Sequence, residues 1–273
     1  MTIKQVLQKY YLADKKLDNN EIDQLLALAL HKNLNYLYTY PEKTIPVSCQ
    51  KKFAKLYRQR LNHWPLAYLK KTKEFYNLKF FVNQHVLIPR PDTEILVEQA
   101  LAYLGDKKKL NVLDLGTGSG CLAISLAKNN PDHNYLATDI SKDALKVAKT
   151  NARKNKVKIK FLASDLFKKL KSQKFDLVLA NLPYLSRQQM SEPSLKHEPK
   201  NALVSGKEGL DHYQRLLSQI KSHLNKNFLI LLEIDPEQDK KIIPLIQKYL
   251  PQSSVEILAD LAGKNRLVKI SQK

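Results

Sequence analysis

The sequence predicts an α/β protein, a parallel sheet covered by helices on both faces, preceded by a small all-helical segment. From Leu110 onward, short apolar runs alternate with helical stretches such as CLAISLAKN and KDALKVAKTNARK. The runs are LNVLDLG, NYLATDI, VKIKFLASD, FDLVLANLP and NFLILLEI, the pattern of strands buried on both sides. No glycine occurs in residues 1–104, which suits a helical bundle better than a loop-rich module. Three of the chain's seven glycines fall between Gly116 and Gly120, where the first of those strands runs into a helix.

Each element has its own signal. In residues 1–72, Ile22, Leu25, Leu26 and Leu30 recur at helical spacing, with Asn19 or Asn20 as the cap. Val47, Phe53, Leu56, Tyr57 and Leu61 mark a further helix, with Lys51, Lys52, Lys55, Arg58 and Arg60 on its wet side and Pro65 at its end. Residues 74–88, EFYNLKFFVNQHVLI, set aromatic and β-branched residues around Asn77 and Asn83, which predicts a short β-hairpin. Pro89 and Pro91 stiffen the connection to a helix capped by Thr93, with Ile95, Leu96, Ala100 and Leu104 as its apolar face. After the five strands, two more near Val255–Leu258 and Leu267–Ile270 close the chain. The organisation expected is a helical domain over 1–72, a hairpin linker over 73–90 and an α/β domain over 91–273.

Bulk composition narrows the function classes. The 273 residues contain no apolar run long enough for a transmembrane helix, and the first residues lack a signal-peptide core, so the cytosol is the expected compartment. Cys49 and Cys121 are isolated, and His63, His85 and His133 have no ligand-like companions, so neither a disulfide framework nor a metal is expected. Net charge is +20, yet only seven of the 46 basic residues are arginine, the residue that reads bases. Runs such as Lys107-Lys108-Lys109 and Lys168-Lys169 read as solvated faces. The excess is therefore taken as compositional bias rather than a dedicated nucleic-acid surface.

The glycine loop carries the strongest local signal. In VLDLGTGSGCLAISLA a buried strand meets Gly116-Thr117-Gly118-Ser119-Gly120 and then a helix, whose first N–H groups and dipole face any ligand at the turn. Gly118 to Ala123 satisfies the dinucleotide pattern, with Asp139 about 20 residues on, so NAD is one candidate. Asp114, however, places a carboxylate before the first glycine, where it repels a pyrophosphate and suits an ammonium. S-adenosyl-L-methionine has an amino-acid tail and no phosphate, and Asp114 favours it. Asp139, ending the second strand, is placed to accept ribose hydroxyls, with Ser141 as the better helix cap. Asp165 is placed to accept an adenine amino group while Leu166 and Phe167 cover the ring. These strand ends form a row at the carboxyl edge of the sheet, where open α/β sheets bind ligands.

The chain resembles the bacterial protein-glutamine N5-methyltransferases that modify peptide-chain release factors. The resemblance covers nearly the whole chain and rests on the ordered set PLAYL and EFYNLKFFV, VLIPRPDTEILVE, VLDLGTGSG, ATDIS, SDLF, NLPY, HEPKNAL and DLAGKNR. IPRPDTE upstream with NLPY downstream is its most specific part. It implies a seven-stranded, Rossmann-like class I methyltransferase domain behind a helical substrate-recognition domain and a β-hairpin linker. The implied cofactor is S-adenosyl-L-methionine and the implied substrate is the glutamine of a Gly-Gly-Gln motif in the release factor. By the family motif, Gly116 to Gly120, Asp139 and the residues after Asp165 touch cofactor, and Asn181, Leu182, Pro183 and Tyr184 match the substrate-binding tetrapeptide. Two features depart from the family. Leu182 stands where the family carries a proline, and glycines expected near His63, Lys71 and Asp235 are absent.

A carboxamide nitrogen is a poor nucleophile, because its lone pair is delocalised into the carbonyl. The tetrapeptide suits the task of presenting one. The Asn181 side-chain oxygen and the Leu182 carbonyl are placed to accept the two N–H groups of the target amide, with Asn181 also beside the cofactor. Pro183 holds the turn and Tyr184 packs on the planar amide. A proline at 182 is expected to preserve or raise the rate. Arg90 and Glu198 are expected to wall or shape the substrate mouth, Arg90 alternatively pairing with Glu94. The exocyclic amine of adenine is also a planar NH₂ group, so the tetrapeptide alone leaves N6-adenine methylation of DNA or RNA open, as well as a ribosomal-protein glutamine. A silent cofactor-binding scaffold and an NAD dehydrogenase are disfavoured by Asn181 and Asp114. The expected partner is a release factor, met by a monomer, with no membrane and no requirement for nucleic acid.

Overall fold

The structure, a computed structural model, describes residues 1–13, 16–107, 109–186, 189 and 193–273, so Lys108 of the lysine run lies outside the described residues. The chain forms two compact units, Met1–Lys71 and Thr72–Lys273.

The first unit is helical: α1 (Ile3–Ala13), α2 (Asn19–Leu30), α3 (Leu34–Thr39), α4 (Val47–Leu61) and α5 (Leu66–Lys70). Ile3, Val6, Ile22, Leu25, Leu26, Leu37, Phe53 and Tyr57 make its core. The cap of α2 is Asp18 rather than the expected Asn19 or Asn20. Its extended backbone lets the carboxylate accept the Glu21 N–H at 2.7 Å. On α4 only Phe53 and Tyr57 are buried, and Val47 is 67% exposed. That helix stops at Leu61, and Pro65 instead stands at the N-cap of α5. His63, with φ 63°, turns the chain between them. Lys71 ends α5 with φ 54°, so two of the positions that lack the family's glycine hold left-handed backbones. Arg60 donates to Glu21 through Nε at 3.0 Å and Nη2 at 2.7 Å, tying α4 to α2.

The second unit opens with a hairpin, β1 (Lys73–Phe75) and β2 (Leu78–Phe80). Its two turn residues, Tyr76 and Asn77, both have positive φ, as a tight two-residue hairpin requires. Next come α6 (Glu94–Leu104), β3 (Asn111–Leu115), α7 (Cys121–Asn129), β4 (Asn134–Asp139), α8 (Lys142–Asn155), β5 (Lys160–Ala163) and β6 (Phe175–Ala180). The chain ends with α9 (Asp211–Ile220), β7 (Leu224–Glu233), α10 (Asp239–Tyr249), β8 (Ser253–Ala259) and β9 (Asn265–Gln272). Val97 joins Leu96, Ala100 and Leu104 on the buried face of α6, and Ile95 is only half-buried.

The seven-stranded sheet has the order β5-β4-β3-β6-β7-β9-β8. Its first five strands are parallel. The parallel reading of the five alternating runs holds, and the two closing strands, whose direction the apolar pattern leaves open, run otherwise. β8 and β9 are joined by the short loop 260–264, which leaves no room for a crossover helix, and they pair antiparallel, with β9 inserted beside β7. α6, α7 and α8 cover one face. α9 and α10 cover the other over Leu113, Leu115, Val178, Ala180, Ile230 and Leu232. Register aligns the carboxyl ends: Leu115 lies beside Thr138 and Ala180, Asp139 beside Ala163, and Ala180 beside Leu232.

Candidate active site

Gly116, Gly118 and Gly120 all have positive φ, at 71°, 54° and 83°. A side chain on Gly116 would meet Leu182 Cδ2 at 2.8 Å, and one on Gly120 would meet Ile124 Cδ1 at 2.8 Å. The loop is therefore a turn that glycine alone fits and a surface that other groups approach closely. Thr117 N–H donates to the Thr138 carbonyl at 2.9 Å, and Gly120 N–H to the Thr117 carbonyl at 2.8 Å. Buried Asn151 holds the loop from behind, donating to the Ser119 and Phe81 carbonyls at 2.9 Å each.

Alternation along β3 turns Asp114 toward α7. Its Oδ2 accepts the Thr117 hydroxyl at 2.6 Å and the Ala123 N–H at 3.3 Å. Burial nonetheless pushes its pKa up to about 6. Asp139 accepts the Gly118 N–H at 2.9 Å and the Ser141 N–H at 2.8 Å, and burial raises its pKa too. Ser141, not Asp139, caps α8, accepting from Ala144 N–H at 3.2 Å. Both acids line one cleft with Thr117, Gly118, Ser119 and Leu166. Asp165 also lines it, but both its oxygens accept from Arg215 Nη2, at 2.8 and 2.7 Å. Phe167 is not on the lining. It is buried in the core and stacks on His223 with ring centroids 4.7 Å apart, because Leu166 turns the chain at φ 47°.

The charges of the cleft indicate what it accepts. Its two arginines are matched by acids: Arg215 pairs with Asp165, and Arg90 pairs with Glu198. That leaves Asp114 and Asp139 at the glycine loop with no cation beside them among the cleft's lining residues. A ligand bearing an ammonium and a sulfonium centre fits this balance, and a pyrophosphate does not. The residues present thus fit S-adenosyl-L-methionine as the cofactor.

Asn181, Leu182 and Pro183 follow β6 into the same cleft. The Asn181 Nδ2 group donates to Glu233 Oε2 at 2.8 Å and to Thr93 Oγ1 at 3.2 Å. With both donors committed, the amide orientation is set and Oδ1 is its remaining acceptor. Glu233, at the end of β7, is buried, and that burial pushes its pKa up to about 7. It also accepts the Tyr184 hydroxyl at 3.2 Å. Arg266, on β9, lies close enough to favour the charged forms of both Glu233 and Tyr184.

The Leu182 backbone bonds the Tyr213 hydroxyl, which itself donates to the Glu233 carbonyl. The Leu182 side chain is buried against Gly116. This bears on the proline expected to be harmless at 182. Proline has no N–H for Tyr213 and lacks the branched methyls packed on the loop.

A second cavity adjoins the cleft and shares Arg90, Asn181 and Pro183 with it, adding Tyr184, Leu185 and Leu203. Tyr184 is absent from the cleft lining and faces this second cavity. Its carbonyl accepts Gln238 Nε2 at 2.9 Å, and Leu185 N–H donates to the Leu203 carbonyl at 2.9 Å. Glu198 is buried and acts as a clamp, accepting from Arg90 and from the Ile88 N–H at 3.0 Å. Among the described residues Arg90 pairs with Glu198 instead of the alternative Glu94, which accepts the Tyr76 N–H at 2.8 Å.

Sequence reasoning misses Thr93 and Glu233. The sequence offers Thr93 as a helix cap, yet it makes no cap hydrogen bond, and its hydroxyl serves Asn181 and Glu233. The available signal for Glu233 was an acid ending the apolar run NFLILLEI at the same sheet edge.

Comparison with known proteins gives the family and the fold. A family model of the methyltransferase small domain matches residues 91–227, and one of the PrmC N-terminal domain matches residues 4–70. A bifunctional methyltransferase of Rickettsia typhi is 39% identical over 242 residues, covering 80% of this chain and 46% of that protein. The chain thus spans about half the length of the bifunctional relatives it matches. A methyltransferase structure from Pyrococcus furiosus, 17% identical, aligns with a TM-score of 0.54 over 82% of this chain and 98% of its own, which shows the fold. The release factor glutamine methyltransferase of Bacillus cereus is 33% identical over 267 residues and 94% of each chain. With both domain models matched and a relative that similar along nearly its full length, this chain belongs to the release factor glutamine methyltransferase family.

Proposed function

We propose that the chain transfers a methyl group from S-adenosyl-L-methionine to the side-chain N5 of the glutamine in the Gly-Gly-Gln motif of peptide-chain release factors. The observation that carries this reading is the fixed amide of Asn181. Its two donors are held by Glu233 and Thr93, so Oδ1 meets the substrate as an acceptor. A primary amide offers two N–H donors, and the clamp offers two acceptors, Asn181 Oδ1 and the Leu182 carbonyl.

The chemistry that S-adenosyl-L-methionine supplies when bound is an electrophilic methyl group on a sulfonium centre. The chain's residues do the positioning. Accepting both N–H groups fixes the plane of the amide and raises electron density on nitrogen. Pro183 and the Gln238 bond to the Tyr184 carbonyl keep the tetrapeptide in place. Tyr184 lines the cavity through which the glutamine enters, and Arg90, held by Glu198, lines both cavities. The proton leaves the nitrogen after attack, so no strong base is needed beforehand. Helical residues 4–70, matched by the PrmC N-terminal domain, support a role in gripping the protein substrate. A cytosolic setting accompanies this reading, and among the described residues no helix is long and apolar enough to cross a membrane.

Asn181→Ala tests the clamp. Transfer to the release factor is expected to fall by about 10²–10³, the loss typical of one preorganised hydrogen-bonding group. Cofactor binding by calorimetry should persist. Transfer at the wild-type rate would remove the proposed role of Asn181.

A further inference from the structure

A second groove opens on the α/β unit and shares no lining residue with the cofactor cleft. Its walls come from α8, the start of β4 and the run into β5, the edge strand of the sheet. Lys146, Lys149 and Arg153 line it from α8. Their spacing of i, i+3 and i+7 puts them on one helix face, on successive turns about 5.4 Å apart. Lys158 and Lys160 add two more cations. The acids nearby are few. Asp143 pairs with Lys146 at 2.8 Å with both side chains exposed, which binds the lysine weakly. Asp132 and Asp176 lie within electrostatic reach of His133.

His133 belongs to the same lining and is only 7% exposed. Its Nδ1 accepts the Leu110 N–H at 3.3 Å, which places the ring proton on Nε2. That Nε2 is buried with no hydrogen-bond partner among the described residues. Half-buried Phe161 adds an aromatic face to the same lining.

We infer that this groove docks the phosphate backbone of single-stranded RNA. Lysines at helical-turn spacing suit a repeating phosphate chain, which needs charge rather than the arginine forks of base reading. An aromatic among cations is the pairing used to stack unpaired bases. An acidic peptide would answer the cations but leave the aromatic face unused. The groove also gives part of the +20 charge a definite location.

The test is fluorescence anisotropy of the full chain with a labelled oligouridylate across a salt series. Wild type is expected to bind with log affinity falling linearly in log salt, by about 0.7 per phosphate contacted. The triple variant Lys149→Glu, Arg153→Glu, Lys158→Glu should weaken binding at least about tenfold and reduce the slope by about 2. The corresponding glutamine triple, gentler on the helix, should move both quantities in the same direction. The control triple Lys221→Glu, Lys226→Glu, Lys248→Glu makes the same charge change outside the groove and should leave the slope near wild type. Methyl transfer to the release factor should be unchanged in the groove variants, which separates this site from the clamp. Equal losses in groove and control triples would assign the binding to diffuse charge and overturn the inference. Displacement of the oligonucleotide by polyglutamate at equal charge concentration would assign the groove to acidic protein and overturn it as well.

Discussion

Glu233 determines which way Asn181 faces. Its buried carboxylate takes one Asn181 donor and the Tyr184 hydroxyl, coupling both ends of the tetrapeptide through one side chain. Its pKa, pushed up to about 7 by burial, lies above the roughly 4.3 of an unfolded glutamate. The folded state therefore holds that proton more tightly. The group's contribution to stability is full below the unfolded value and is lost as pH rises through about 7, an effect on the order of 3 kcal/mol. Glu233→Gln has no such titration. Its thermal midpoint relative to wild type should rise between about pH 5 and pH 8, and calorimetry showing a pH-independent difference would contradict the assignment. Asp114 makes a parallel case in the cofactor cleft. With its pKa near 6, its carboxylate is ready for an ammonium only above that pH. Affinity of the free protein for S-adenosyl-L-methionine should tighten about tenfold from pH 5 to pH 7. Titration calorimetry should find this pH dependence lost in Asp114→Asn.

At the scale of elements, strands deliver the site and turns carry the strain. His63 and Lys71 hold φ values of 63° and 54° without a glycine's freedom. A left-handed backbone costs a residue with a Cβ about 1–2 kcal/mol, partly offset by the entropy glycine gains on unfolding. His63→Gly and Lys71→Gly should each stabilise the chain by about 1 kcal/mol, read as a higher urea midpoint. Destabilisation by either would show that the side chain makes a contact worth more than the strain. The strand positions and the glycine loop were legible in sequence because each is a local pattern of alternation, punctuation and spacing. Thr93 and Glu233 were not. Their roles depend on meeting Asn181 across separations of 88 and 52 residues. The inward course of Phe167 follows from the left-handed Leu166 before it, which no local pattern announces. The antiparallel β8–β9 pair was likewise invisible to apolar patterning, which marks strands without giving their direction.

At the scale of the whole molecule, the chain combines a helical unit over Met1–Lys71 with an α/β unit over Thr72–Lys273, each with its own core. Within the second unit, the acidic glycine-loop cleft suits a cationic methyl donor, and the adjoining cavity also reaches Asn181. On the proposed function, a buried clamp can serve a protein substrate because only one side chain has to enter. The central claim is that the acceptor is the glutamine of the release-factor motif. The direct measurement is transfer of label from S-adenosyl-L-methionine to the cognate release factor, to the same factor with that glutamine replaced, and to total RNA. The account predicts label in the first alone. Label that survives the glutamine replacement, or that appears in RNA, would contradict it.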